Sequence, residues 1–234
     1  MESDLPVAMV RLAGHLSVSS APDARFALHQ ALAGQPAAVV VDLSELTVVD
    51  DAILAVFGTF ARHAATWPGC PVVLCGPSEP VAAGIERMSL ARLVDVYPRR
   101  KDALTAVDVA PPPRRYWRRM QPSPAAAALS RATVAAACGA WRLAHMADRA
   151  QLIVTELVSN AIVHARTEMK LQVVLRDPYL HIALADGSRR APRRLPGGGR
   201  AFGGRGLILV ETLSAGWGST PTRDGKVVWA TLRL

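Results

Sequence analysis

Thr155-Glu156-Leu157-Val158-Ser159-Asn160-Ala161-Ile162-Val163-His164 is the stretch on which the reading of the chain turns. Its surroundings are apolar: Leu152, Ile153, Val154, Leu157, Val158, Ala161, Ile162 and Val163. On a helix they cover nearly every side, so the helix is expected to be buried. Glu156, Asn160 and His164 nevertheless recur every four residues. That spacing puts them on one face, about 6 Å apart along the axis. A carboxylate on a buried helix needs a partner. A charged ligand with a metal ion would supply one; a helix with one solvated edge is the plainer alternative.

Working outward, the 234 residues suffice for one large core or two small ones. No apolar run approaches the length of a membrane span, and no basic-then-apolar leader opens the sequence. The three cysteines, Cys70, Cys75 and Cys138, are read as reduced packing residues, consistent with a cytoplasmic location. Charge is uneven. Residues 1–110 hold 8 Lys+Arg and 12 Asp+Glu, a net of −4; residues 111–234 hold 19 and 7, a net of +12. This asymmetry suggests two domains that attract each other. The pI near 10.2 alone would suggest nucleic acid, which is the weaker reading here.

The first half alternates strands and helices. Val7–Leu12 followed by Gly14 predicts a short hairpin. Buried strands are expected at Ala37–Leu43 and Pro71–Gly76 and a short one at Val94–Tyr97; helices are expected at Pro22–Leu32, Asp51–Trp67, Ser78–Met88 and Arg99–Val107. That order predicts an α/β layer fold with a mainly parallel sheet. Residues 109–124 hold five Pro and four Arg, so the boundary falls near 110. Arg115–Met120 is read as an edge strand opening the second domain.

In that domain a helix follows Ser123-Pro124 and the next carries the opening stretch. Strands Met169–Arg176 and Leu180–Ala185 lead to Asp186-Gly187. A long loop over 188–204 carries Arg189, Arg190, Arg193, Arg194 and Arg200 and glycines 197–199, 203 and 204, and a loop of that length points to function or disorder. Helix Gly206–Leu213 and strands near Gly216–Pro221 and Lys226–Leu234 close the chain. Neither Gly-x-x-x-x-Gly-Lys-Ser/Thr nor Gly-x-Gly-x-x-Gly occurs, which sets aside the usual P-loop and the dinucleotide fingerprint. Glycines ahead of a helix still expose N–H groups that hold phosphates, and an Asn carbonyl is a hard ligand suited to Mg²⁺.

Two resemblances follow. Val39-Val40-Val41-Asp42-Leu43-Ser44-Glu45-Leu46-Thr47-Val48-Val49-Asp50-Asp51-Ala52-Ile53-Leu54 resembles the centre of STAS domains, the anti-sigma factor antagonists. In that family the second hydroxyl residue of Asp-Ser-Ser/Thr-Gly-Leu is phosphorylated. Here the position is Ala52, a degenerate phosphosite without an acceptor oxygen, and Ile53 replaces the glycine. Asp51 adds a fixed negative charge next door; a helix N-terminal acid is the plainer reading.

Second, Glu156-Leu157-Val158-Ser159-Asn160-Ala161-Ile162-Val163-His164-Ala165, Asp186-Gly187, Gly204-Arg205-Gly206-Leu207 and Gly225-Lys226-Val227-Val228-Trp229 resemble the boxes of the GHKL ATPases, in particular anti-sigma factor serine kinases. The fold implied is a STAS-like α/β layer domain over 1–108, a linker over 109–114 and a C-terminal Bergerat α/β sandwich over 115–234. The resemblance implies ATP with Mg²⁺. Glu156 would be the general base and Asn160 would hold the metal. Asp186 and Gly187 would face adenine, while Gly203, Gly204, Arg205, Gly206 and Leu207 would contact phosphates. The Arg-rich loop resembles an ATP lid. The second glycine of Asp-x-Gly-x-Gly is missing after Gly187, Val227 replaces a frequent Ser/Thr, and His164 is read as structural.

The implied function is a protein serine kinase that phosphorylates a STAS antagonist in a partner-switching system regulating a sigma factor. The alternative is a non-catalytic nucleotide-binding regulator whose own STAS domain is a non-phosphorylatable partner in cis. The partners implied are a sigma factor, an antagonist or both. A homodimer is possible, and neither a membrane nor nucleic acid is expected.

Overall fold

In a computed structural model the chain divides into two compact units, Met1–Pro112 and Pro113–Leu234. The structure describes residues 7–108, 113–192 and 206–234. Among these, no helix is long and apolar enough to cross a membrane.

The first unit holds a four-stranded sheet in the order β1 (Ala8–Leu16), β2 (Val39–Val48), β3 (Val72–Cys75), β4 (Asp95–Tyr97), with every neighbour parallel. Parallel neighbours need crossovers. These are α1 (Ala21–Ala33), α2 (Ala55–Thr66) and α3 (Glu79–Arg87), and α4 (Arg100–Asp108) follows β4. Val39, Val40 and Val41 are fully buried, as the unbroken apolar run of a central strand requires.

The expected hairpin at Gly14 does not form. Gly14 has φ +87° inside β1, which runs on to Leu16 while β2 runs on to Val48 beside it. A shift of register between Arg11 and Ala13 accommodates the extra residue of β2. The glycine marks an irregularity within a strand instead of a turn. Ser78 and Ser123 sit at the N-cap positions of α3 and α5 (Pro124–Ala140) without a side-chain capping bond, so the prolines at the start of each helix carry the signal. Cys70, Cys75 and Cys138 are buried free thiols.

The second unit holds five antiparallel strands in the order β5 (Arg114–Met120), β6 (Met169–Arg176), β7 (Tyr179–Asp186), β9 (Lys226–Arg233), β8 (Gly216–Pro221). Its helices are α5, α6 (Ala147–His164) and α7 (Gly206–Leu213). Alternation sorts the side chains. Leu180, Ile182 and Leu184 of β7 and Val228, Ala230 and Leu232 of β9 share one core with Ile153, Val154, Leu157 and Val158 of α6. Each of these Val, Leu and Ile side chains contributes roughly 1.5–3 kcal/mol on burial.

The helix α6 is not apolar-buried on all sides. Leu152 is 49 % exposed and Val163 57 %, because the sheet and the neighbouring helices cover only part of its circumference. His181 of β7 is fully buried with neither ring nitrogen hydrogen-bonded, and burial, with a smaller effect of Arg176, lowers its pKa to about 3. Burial, then His63 and Arg25, lowers half-exposed His29 to about 4.

A buried neutral histidine sets the sign of acid stability. Between pH 6.5 and about 3 the unfolded chain takes up the proton that folded His181 refuses. Its contribution is complete above 6.5 and falls as pH drops. Unfolding of the whole chain by urea should therefore lose about 2–3 kcal/mol from this residue between pH 7 and 4.5. His181→Leu should flatten that part of the slope; an unchanged slope in the variant would contradict the assignment.

Candidate functional site

The apolar rows of β7 and β9 end in charge. Asp186 continues the inward row Leu180, Ile182, Leu184, and Lys226 continues Leu232, Ala230, Val228. The register sets Asp186 directly opposite Lys226. Lys226 Nζ donates to Asp186 Oδ1 at 2.8 Å, and both side chains are buried. Ser188 N donates to the same oxygen at 2.8 Å, and Nζ also donates to the Ser188 carbonyl at 3.1 Å. Among the described residues no bond falls on Asp186 Oδ2, and the Asp186 side chain, 2 % exposed, lines a cavity. The turn before β9 approaches so closely that a Cβ on Gly225 would overlap the Asp186 carbonyl. Gly187 N donates to Thr167 Oγ1 at 2.8 Å, which fixes the end of β7 against the segment after α6.

The cavity has a volume of about 590 Å³, a size suited to a small ligand. Asn160 and His164 of α6, Asp186, Arg190, Leu207 of α7 and Lys226 line it. The four-residue spacing of α6 puts Asn160 and His164 on that wall. The Asn160 amide nitrogen is buried without a hydrogen-bond partner. An orphaned amide and an unbonded carboxylate oxygen, on two residues that line one cavity, fit a polar ligand, since a buried polar atom without a partner is costly. Amide oxygen and nitrogen exchange places by a half-turn, so either atom can face that ligand.

Glu156 is half-buried one turn back and does not line the cavity. Its carboxylate lies against Gly206, the first residue of α7, so closely that a Cβ on Gly206 would collide with Glu156 Oε2. A carboxylate at a helix N-terminus is favoured by the helix dipole. Gly206 and Leu207 thus join Glu156, Asn160 and Asp186 around one region. Gly203, Gly204 and Arg205, the greater part of the Arg-rich loop including Arg193, Arg194 and Arg200, and linker residues 109–112 lie outside the described residues.

Two further positions bear on the site. His164, read as structural from the sequence, is exposed in the last turn of α6 and lines the cavity. Val227, which replaces a frequent Ser/Thr, does not line the cavity; its neighbours Lys226 and Val228 do, by strand alternation. The polar contribution of β9 is Lys226, which had no assigned role. Its signal was present as the charge next to Gly225 in an otherwise apolar strand.

In the first unit Ala52 lines a groove with Ser17, Ser19, Val49, Asp50 and Ile53. Asp50 accepts a bond from Ala52 N at 2.9 Å and opens a 3-10 turn over Asp51–Leu54. Asp51 is tied to α3, where Arg87 Nε donates to its Oδ2 at 2.7 Å. A Cβ on Gly84 would press on Asp51 Oδ1 at 2.6 Å. The negative charge at 51 is therefore anchored within the unit.

The close contact at Gly225 gives a direct test. Gly225→Ala would put a Cβ into the backbone of Asp186 and Gly187 and should cost about 1–3 kcal/mol. Thermal unfolding of the full chain measures it, and a neutral result would contradict the close approach of this turn to β7.

Comparison with known proteins places both halves. Residues 2–95 match the family model described as Mlab, STAS domain, and residues 120–232 match that of the histidine kinase-like ATPase domain. Among solved structures the chain is similar to the anti-sigma factor antagonist SpoIIAA in its unphosphorylated form, at 16 % identity and a TM-score of 0.37, over 47 % of this chain and 96 % of that one. It is also similar to a sulfate transporter family protein from Wolinella succinogenes, at 15 % identity and a TM-score of 0.36, over 46 % of this chain and 90 % of that one. No curated protein matches the chain. The ATPase domain implies ATP binding, and its pairing with a STAS domain fits a partner-switching regulator. The chain thus joins an N-terminal STAS domain to a C-terminal histidine kinase-like ATPase domain.

Proposed function

We propose that the second unit is an ATP-dependent protein serine kinase that acts on a separate STAS antagonist and so regulates a sigma factor by partner switching. One observation carries the reading: the Glu156 carboxylate abuts the start of α7, while Asn160, four residues on, lines the cavity that Asp186 also lines and holds a buried amide nitrogen without a partner. Asp186 would accept a hydrogen bond from the adenine amino group. The Asn160 carbonyl would hold Mg²⁺, and backbone N–H groups from Gly203 to Leu207 would hold phosphates. Bound Mg-ATP would supply the phosphoryl group. Glu156 would take the proton of the attacking serine hydroxyl. The site's remaining contribution is placement and charge neutralisation. The hydroxyl comes from another chain because Ala52 has no side-chain oxygen.

Calorimetry and a phosphotransfer assay with a serine-bearing STAS protein separate the roles. Asn160→Ala should weaken Mg-ATP binding by about tenfold or more, since it removes the metal ligand. Glu156→Ala should keep nucleotide affinity and lower transfer by about 100-fold or more. Transfer that survives Glu156→Ala would end the general-base assignment.

The position of Ala52 in an open groove favours a second reading. The ATPase unit would hold nucleotide without transferring phosphate, and the chain's own STAS unit, acidic at −4 against +12, would occupy the partner's place. Removal of residues 1–110 should then increase binding of an added STAS protein several-fold. Equal binding by the full and shortened chains would refute it.

A further inference from the structure

We infer that Lys226 is a positioning residue that sets base selectivity, by holding Asp186 as an acceptor-only wall for a base that presents an amino group. The inference rests on the reading of the cavity as the nucleotide site. Three observations support it. Asp186 Oδ1 accepts from Lys226 Nζ and Ser188 N, both at 2.8 Å, which leaves Oδ2, among the described residues, as the oxygen without a bond. Lys226 Nζ bonds the Ser188 carbonyl as well, so one ammonium ties the carboxylate to the backbone that follows it. Finally, β9 places Lys226 on the cavity wall and in register with Asp186, while Gly225 lets the turn come close enough for the bond.

As the anion of an ion pair, Asp186 accepts hydrogen bonds and donates none. An amino group at the 6-position of a purine satisfies Oδ2. A 6-oxo group there would set two acceptors against each other in a buried site, which a polar pocket rejects strongly. Lys226 makes this discrimination possible. Without the ammonium, the carboxylate loses its tie to the backbone at Ser188 and is free to turn away. An Asp186 that can turn away no longer presents a fixed acceptor, and an amino and an oxo base then become comparable ligands. The ammonium also does for this turn what a second glycine would not. Ser188 follows Gly187, and its N–H and carbonyl are both engaged in holding the Asp186–Lys226 pair.

The test uses the full chain and three probes: ATP, inosine triphosphate (6-oxo) and purine riboside triphosphate (no 6-substituent), each with Mg²⁺. Dissociation constants are measured by calorimetry on wild type, Lys226→Met and Lys226→Arg, with folding checked by circular dichroism. Wild type should prefer ATP over inosine triphosphate by about tenfold or more. Lys226→Met should bring the two within about twofold, and Lys226→Arg, which keeps the charge, should restore the preference. A merely structural lysine would change all three constants together and leave their ratio intact. If Lys226→Met does not fold, Lys226→Gln takes its place; it keeps a donor for the Ser188 carbonyl, and the same loss of ratio is expected. A wild-type ratio in the folded methionine or glutamine variant overturns the role of Lys226 and leaves the nucleotide site standing. Wild type that binds ATP but does not prefer it over inosine triphosphate overturns the inference through Asp186. Wild type that binds none of the three overturns the nucleotide reading itself.

Discussion

The antiparallel register of β7 on β9 is the constraint on which the second unit depends. It aligns Leu180, Ile182 and Leu184 with Leu232, Ala230 and Val228 beneath α6, and by the same alternation it puts Asp186 opposite Lys226 where those rows end. A slip of one residue would turn every apolar side chain of the row to the other face. It would also part Asp186 from Lys226 and leave one of them buried and unpaired, at a cost of several kcal/mol. The packing that stabilises the sheet therefore also fixes the geometry at the edge of the cavity.

The helix α6 links the same two requirements. Ile153, Val154, Leu157, Val158 and Ala161 lock it to the sheet, and this sets where Asn160 and His164 stand. Glu156 is held differently, between α6 and the first residue of α7. Gly206 matters there because it has no side chain. In the first unit, Asp50 and Asp51 resemble each other in sequence but not in use: Asp50 organises the backbone around Ala52, and Asp51 ties the 3-10 turn to α3 through Arg87.

Much of the fold was legible in the sequence because the elements carry strong apolar patterns. Val39–Val41 could only be a central strand, and the four-residue recurrence of Glu156, Asn160 and His164 gave their shared face. Errors arose where one residue type serves two purposes. Gly14 looked like a turn because a glycine with positive φ is usual there, but it lies within a strand. Leu152 and Val163 suggested a helix buried all round, yet long apolar side chains on a partly covered helix remain exposed. The role of Lys226 was not legible because its partner lies 40 residues away in the chain, and only strand register brings them together. Val227, the position at which the motif departs from the usual Ser/Thr, is one residue off the wall.

The outer strand β5 has a consequence of its own. Among the described residues it is an outermost strand of the sheet, and an edge strand is a template on which another strand could grow. Arg114, Arg118 and Arg119 are exposed along it, Arg119 stands opposite Lys170, and Lys170 lies over the Trp117 ring at 5.9 Å. Burial first, then Arg115 and Arg119, lowers the pKa of Lys170, as expected where positive charges crowd. Two such edges repel each other when they meet. The guanidinium groups thus act as a guard against runaway sheet extension, and the guard weakens as dissolved salt screens it.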